Sequence, residues 1–223
     1  SGCASLVSTA VAVTINALPL TTPVVAPATT TICSGSTVTV SVAGSQAGIN
    51  YELFDGVTSL SAAVAGTGGA INLVTSALTA NTTITVRATN PTTGCTTLLS
   101  GTSVVTVTPI PATPTIGPLG PVVACEGTAA IVLTSSAGSG NQWYKDGSPI
   151  GGPTATTLNI TTLPANSGSY TVISTVSGCA SLVSTAVAVT INALPLTSPV
   201  VAPATTTICS GATVTVGVAG SQA

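Results

Sequence analysis

Six cysteines (Cys3, Cys33, Cys95, Cys125, Cys179 and Cys209) are the residues of this sequence best equipped for chemistry. Around them stand two cations (Arg87, Lys145), four anions (Glu52, Asp55, Glu126, Asp146) and no histidine. A reactive thiol needs a nearby base or cation to lower its pKa, and no cysteine has one close in sequence. Oxidation to structural disulfides, in an oxidising compartment, is the chemistry left to them. The many serines have no histidine to activate them, so no catalytic residue is assigned and the chain is read as non-enzymatic. A zinc site would have to be built from cysteine alone, and no region holds enough carboxylates for a calcium cage. No metal or cofactor is therefore expected. Charged residues are 3% of the sequence, against about 25% in an ordinary domain. Without clustered Lys and Arg there is nothing to displace counterions from nucleic acid.

The elements that position the cysteines come in copies. Residues 1–47 return as residues 177–223, with only Thr22/Ser198, Ser36/Ala212 and Ser41/Gly217 differing. So close a match marks the chain as a window on a longer tandem array, whose units build length. Mean hydropathy is +0.71, yet apolar runs are short and broken by Thr, Ser and Gly. They fall far below the roughly 20 residues of a membrane span, so no membrane insertion is expected.

Alternation with period two is clear in Thr37–Val42, Thr83–Ala88, Val104–Thr108 and Ala186–Ile191. This is the pattern of half-buried antiparallel strands, apolar side inward and Thr outward. Proline clusters follow strong strands at Leu18–Pro23, Thr108–Pro114 and Leu194–Pro199. They divide the chain into a domain A (19–108) and a domain B (109–197). Residues 1–18 are read as the last strand of a preceding B-type domain, and 198–223 as the first strands of a following A-type domain. The predicted fold is all-β, a linear rod of tandem immunoglobulin-like sandwiches. Aspartate–glycine turns (Asp55-Gly56, Asp146-Gly147) and late Gly-Cys pairs (Gly94-Cys95, Gly178-Cys179) recur in both domains.

Domain B carries the sharper signature: Gln142-Trp143-Tyr144-Lys145-Asp146-Gly147, then Asn166-Ser167-Gly168-Ser169-Tyr170. It resembles the immunoglobulin-like pattern, which implies core anchors at Trp143 and Tyr170. Val172 stands where that family has its core cysteine, so the cross-sheet disulfide is missing. Domain A offers Glu52 or Leu53 in the place of Trp143, and Ile84 in the place of Tyr170. The wider pattern is Cys-x-Gly early, Gly-Cys late, Thr/Val-rich strands and proline joints. It resembles the repeats of giant cell-surface adhesins of Bacteroidota, the SprB-like gliding adhesins and other cargo of type IX secretion. The resemblance implies an extracellular, cell-surface location.

In such a sandwich Cys33 and Cys125 lie at the end where the chain leaves, and Cys95 and Cys179 at the end where it enters. Strands of six to eight residues hold those ends roughly 20–27 Å apart, beyond the ~7 Å reach of a disulfide. The expected pair is Cys33–Cys179, across a joint, with Cys3, Cys95, Cys125 and Cys209 bonded to domains outside the window. Pairing within a domain, Cys33–Cys95 and Cys125–Cys179, stays open if strand A is short.

The sequence thus reads as a stalk or filament shaft giving reach and stiffness for adhesion or gliding. Its partners would be neighbouring repeats, and surface polysaccharide or a solid surface through domains outside this window. The alternative is an array of carbohydrate-binding modules, which requires the Trp143-Tyr144 pair to be exposed. Two sequons, at Asn81 and Asn159, read more simply as polar strand residues.

Overall fold

β-branched residues alternating with Thr and Ser favour pleated strands with one apolar face, and the chain folds on that pattern throughout. The computed structural model describes residues 2–3, 7–152, 155–195 and 200–219. The chain divides into two compact units, Ser1–Ile110 with Ser177–Cys179, and Pro111–Val176 with Ala180–Ala223.

In the first unit β1 (Val24–Ala26), β3 (Thr39–Ala43) and β7 (Ile71–Val74) form one sheet in the order β1-β3-β7. The facing sheet runs β2 (Thr29–Cys33), β9 (Thr96–Thr108), β8 (Thr82–Thr89), β4 (Asn50–Asp55), β5 (Thr58–Ser59), with β6 (Val64–Ala65) also on β4. All neighbours are antiparallel except β2, which runs parallel to β9. The first strand is thus split: β1 joins one sheet, the cis Ala26–Pro27 bond follows, and β2 joins the other. Inward residues of both sheets, among them Val40, Val42, Leu73, Tyr51, Leu53, Ile84 and Val86, make a single apolar core.

The second unit repeats the plan. β10 (Ile116–Gly117), β12 (Ile131–Ser135) and β15 (Thr157–Ile160) form one sheet. β11 (Val122–Cys125), β18 (Val187–Asn192), β16 (Gly168–Val176), β13 (Asn141–Lys145) and β14 (Ser148–Pro149) form the other, with β17 (Cys179–Ala180) on β16. Again the one parallel neighbour pair is the split first strand against the last, β11 with β18. A single 3-10 turn at Pro164–Asn166 is the only helical element among the described residues. Asp146 and Gly147 both take positive φ, as the two-residue turn between β13 and β14 requires. The chain is therefore all-β, two immunoglobulin-like sandwiches in tandem.

The flanking segments show what partners contribute. Val187–Asn192 forms β18, with Val189 2% and Ile191 4% exposed. The identical residues 11–16 form no strand, and Val13 and Ile15 are 81% and 91% exposed. Residues 200–219 keep only β19 (Val200–Ala202) against β20 (Gly217–Ala219), in the same register as β1 against β3. The readings of 1–18 and 198–223 as strands of flanking domains fall partly on 1, 4–6, 198–199 and 220–223, which lie outside the described residues.

Candidate functional site

The candidate site is a set of four strand ends carrying cysteine. Cys33 is the last residue of β2, and the parallel register sets it beside Thr108, the last residue of β9. The Ser34 amide donates to the Thr108 carbonyl at 2.9 Å, and the Ser36 amide to the Cys33 carbonyl at 3.0 Å. Gly35, at φ +83°, allows the chain to reverse there. The second domain builds the same corner. Cys125 ends β11 opposite Asn192, the Glu126 amide donates to the Asn192 carbonyl at 2.8 Å, and the Thr128 amide to the Cys125 carbonyl at 3.3 Å. Glu126 adds one feature of its own: its carboxylate accepts from the Leu194 amide at 3.3 Å.

Cys95 and Cys179 occupy the other corner of the plan. Each follows a glycine in the left-handed region, Gly94 at φ +72° and Gly178 at φ +81°. Each opens the run that ends at Thr108 or Asn192. Within the first domain the whole of β9, 13 residues, separates Cys95 from the level of Cys33. That is roughly 40 Å of extended chain, far outside disulfide reach, so Cys33 and Cys95 of one domain do not meet. Cys33 is bonded to Cys179, with Cα atoms 5.6 Å apart. Cys3, Cys95, Cys125 and Cys209 are free thiols. Thiols that oxidise to a structural bond belong to a non-cytoplasmic setting.

Trp143 is 0% exposed in the core of the second domain, and its Nε1 donates to the Ala155 carbonyl at 3.1 Å. Trp143 therefore presents no exposed ring of the kind a sugar-binding reading requires. The Tyr170 hydroxyl donates to the Asn166 carbonyl at 2.7 Å, the corner that pins the start of β16. Burial, and secondarily the Asp146 carboxylate, pushes the Tyr170 phenol above its usual pKa. In the first domain Leu53 faces Val86 as Trp143 faces Val172, so Leu53, not Glu52, fills the tryptophan's place. Glu52 instead pairs with Arg87 at 3.2 Å on the outer face, and the Arg87 guanidinium lies 3.8 Å over the Phe54 ring. Sequence reasoning missed this cluster, and also missed Tyr51, which is fully buried with its hydroxyl accepting from the Gln46 amide at 2.8 Å. The signal available was Glu52 and Arg87 lying in facing strands, which needs the pairing register to read. At Asn81 the side chain accepts from the Val107 amide at 2.7 Å.

A hollow of the second domain, lined by Lys145, Ile150, Leu158, Asn159 and Tyr170, holds about 210 Å³ and is open to solvent. It is smaller than the ~300–1,000 Å³ of ordinary ligand sites. Among the described residues no three metal-ligating side chains come together.

Residues 21–109 match the family of Ig-like domains described as CHU_C associated. The match covers the whole of the first sandwich and less than half of the chain. Solved structures similar to the chain include an I-band fragment of titin, at 12% identity and TM-score 0.42, covering 83% of this chain and 70% of that one. Titin domains in complex with telethonin are similar at 17% identity and TM-score 0.33, covering 77% and 97%. A murine receptor structure, solved with the mouse coronavirus receptor-binding domain, gives 13%, 0.40, 76% and 98%. No curated protein matches the sequence. The family matched is a domain family of the immunoglobulin-like type, and no enzyme family is found.

Proposed function

We propose that the chain is a stretch of the shaft of a large secreted surface adhesin, a structural segment that gives reach and bears tension. One observation carries this reading. The Cys33–Cys179 bond joins residues 146 apart in sequence and closes most of two sandwiches inside one covalent loop. Tension applied at the chain ends passes from Cys33 to Cys179 through a covalent bond, so the strands between them, β3 to β16, are shielded from the pull. The repeated sequence, the proline-rich joints and the scarcity of charge support the same role. The resemblance to Bacteroidota surface adhesins supports an extracellular, cell-surface location and export by type IX secretion. Contact with surface polysaccharide or a solid surface belongs, on this reading, to other domains of the same protein.

Single-molecule extension of the chain, held at its two ends, tests the proposal. Without reductant the residues inside the loop stay hidden from the pull. Adding a thiol reductant should lengthen the fully extended chain by about 50 nm, the span of 146 residues at ~3.4 Å each. Equal lengths with and without reductant would remove the observation on which the shaft reading stands.

A further inference from the structure

The four strand-end cysteines are two kinds of position, each present once per sandwich. Cys33 and Cys125 close the split first strand, beside the last residue of the domain's final strand. Cys95 and Cys179 follow the glycine turn that opens that final run. The bond that exists joins one of each kind, Cys33 of the A-type sandwich and Cys179 from the B-type sequence. Cys125 and Cys95 are the same two kinds with the domain types exchanged, and both carry free thiols. Cys125 is exposed and Cys95 half-buried.

We propose that Cys125 forms a second disulfide with the Cys95 of a different A-type domain, one that follows B in the array or belongs to a second copy of this chain. The inference rests on the shaft reading, in which A-type and B-type domains alternate. Two features of the bonded pair are present at the unbonded one. The corner after Cys125 repeats the corner after Cys33, with the same backbone hydrogen bonds to the last strand and from the residue three positions on. The turn before Cys95 repeats the positive-φ glycine before Cys179. Within one chain Cys125 and Cys95 sit on domains in the wrong order, since the A-type sandwich bearing Cys95 precedes B. A later A-type domain supplies the missing half.

The bond forms by thiol–disulfide exchange with a small disulfide oxidant such as oxidised glutathione. The Cys125 thiolate attacks the oxidant, whose sulfur–sulfur bond breaks and releases one glutathione thiol. The Cys95 thiolate of the second domain then displaces the other glutathione. One protein disulfide is made, one oxidant disulfide is consumed, and the two thiol protons end on two glutathione molecules.

The full chain serves for the test, with Cys3→Ser and Cys209→Ser to silence the two cysteines of the exposed flanking segments. Concentrated protein is oxidised with glutathione disulfide, run without reductant and mapped by mass spectrometry of the linked peptides. The expected result is a ladder of covalent oligomers in which Cys125–Cys95 links exceed Cys125–Cys125 and Cys95–Cys95 links at least tenfold. Adding either C125S or C95S should abolish the ladder and leave the Cys33–Cys179 link in the monomer. A ladder with mixed and like links in statistical proportion would overturn the proposal. So would Cys125 linked to Cys179, or a monomer that forms no ladder at all. A map lacking the Cys33–Cys179 peptide pair is a different failure: it strikes the shaft reading, whatever Cys125 does.

Discussion

The Tyr170 hydroxyl donates to the Asn166 carbonyl while its ring lies in the core, and this sets how the second domain responds to alkali. Its pKa is raised in the folded state, first by burial and then by Asp146. Below about pH 10, the ordinary tyrosine value, the phenol is protonated in both states and contributes no pH dependence. Above it the unfolded chain loses the proton first, so stability falls as pH rises. Tyr170→Phe should cost about 1 kcal/mol at neutral pH, the worth of one hydrogen bond. The same variant should flatten the decline above pH 10, as melting curves at several pH values would show. Trp143 is the larger anchor. Trp143→Ala should cost roughly 3–5 kcal/mol by the usual large-to-small range, read by denaturant unfolding. An unchanged midpoint would contradict its burial. Both anchors could be read from sequence because the Gln-Trp-Tyr and Ser-Gly-Ser-Tyr patterns fix their strand positions. Tyr51 is missed although Asn50-Tyr51-Glu52-Leu53 alternates, because the run is only four residues long before Phe54 breaks it, and pairing with β8 is what fixes the inward face.

At the scale of the element, the period-two runs locate β3, β8, the second half of β9, and β18. The short edge strands β5, β6 and β14 are two residues each and leave no period to detect. Residues 11–16 and 187–192 make the limit plain. One sequence gives an exposed, unpaired segment in one place and a buried strand in the other. Strand propensity is therefore permissive here, and the neighbours β16 and β11 supply the decision. Backbone corners are equally dependent on context. Gly140, at φ +68°, sits where a Cβ would overlap the Thr175 carbonyl oxygen. Gly140→Ala should cost roughly 2–4 kcal/mol, because positive-φ strain adds to a backbone overlap that must be relieved. Gly120, at φ +88° with open space around it, should lose only about 1 kcal/mol on the same change. Thermal unfolding of the two variants compares them directly.

Across the whole molecule, turn glycines beside each cysteine show which corner it occupies. The choice of partner depends on strand length, and the 13 residues of β9 settle that Cys33 and Cys95 of one domain lie far apart. The scarcity of charge has a further consequence at this scale. Arg87 and Lys145 are the only residues after which a trypsin-like protease can cut. Arg87 lies inside β8, hydrogen-bonded between β4 and β9 and held by Glu52. Lys145 ends β13, between β14 and β16, with its ammonium donating to the Ala165 carbonyl at 2.6 Å. A protease must draw several residues out of the sheet to bind them, so cleavage waits on local opening of a central strand. Its two trypsin sites, both in interior strands of a sheet, leave a trypsin-like protease no exposed loop to cut in the folded state.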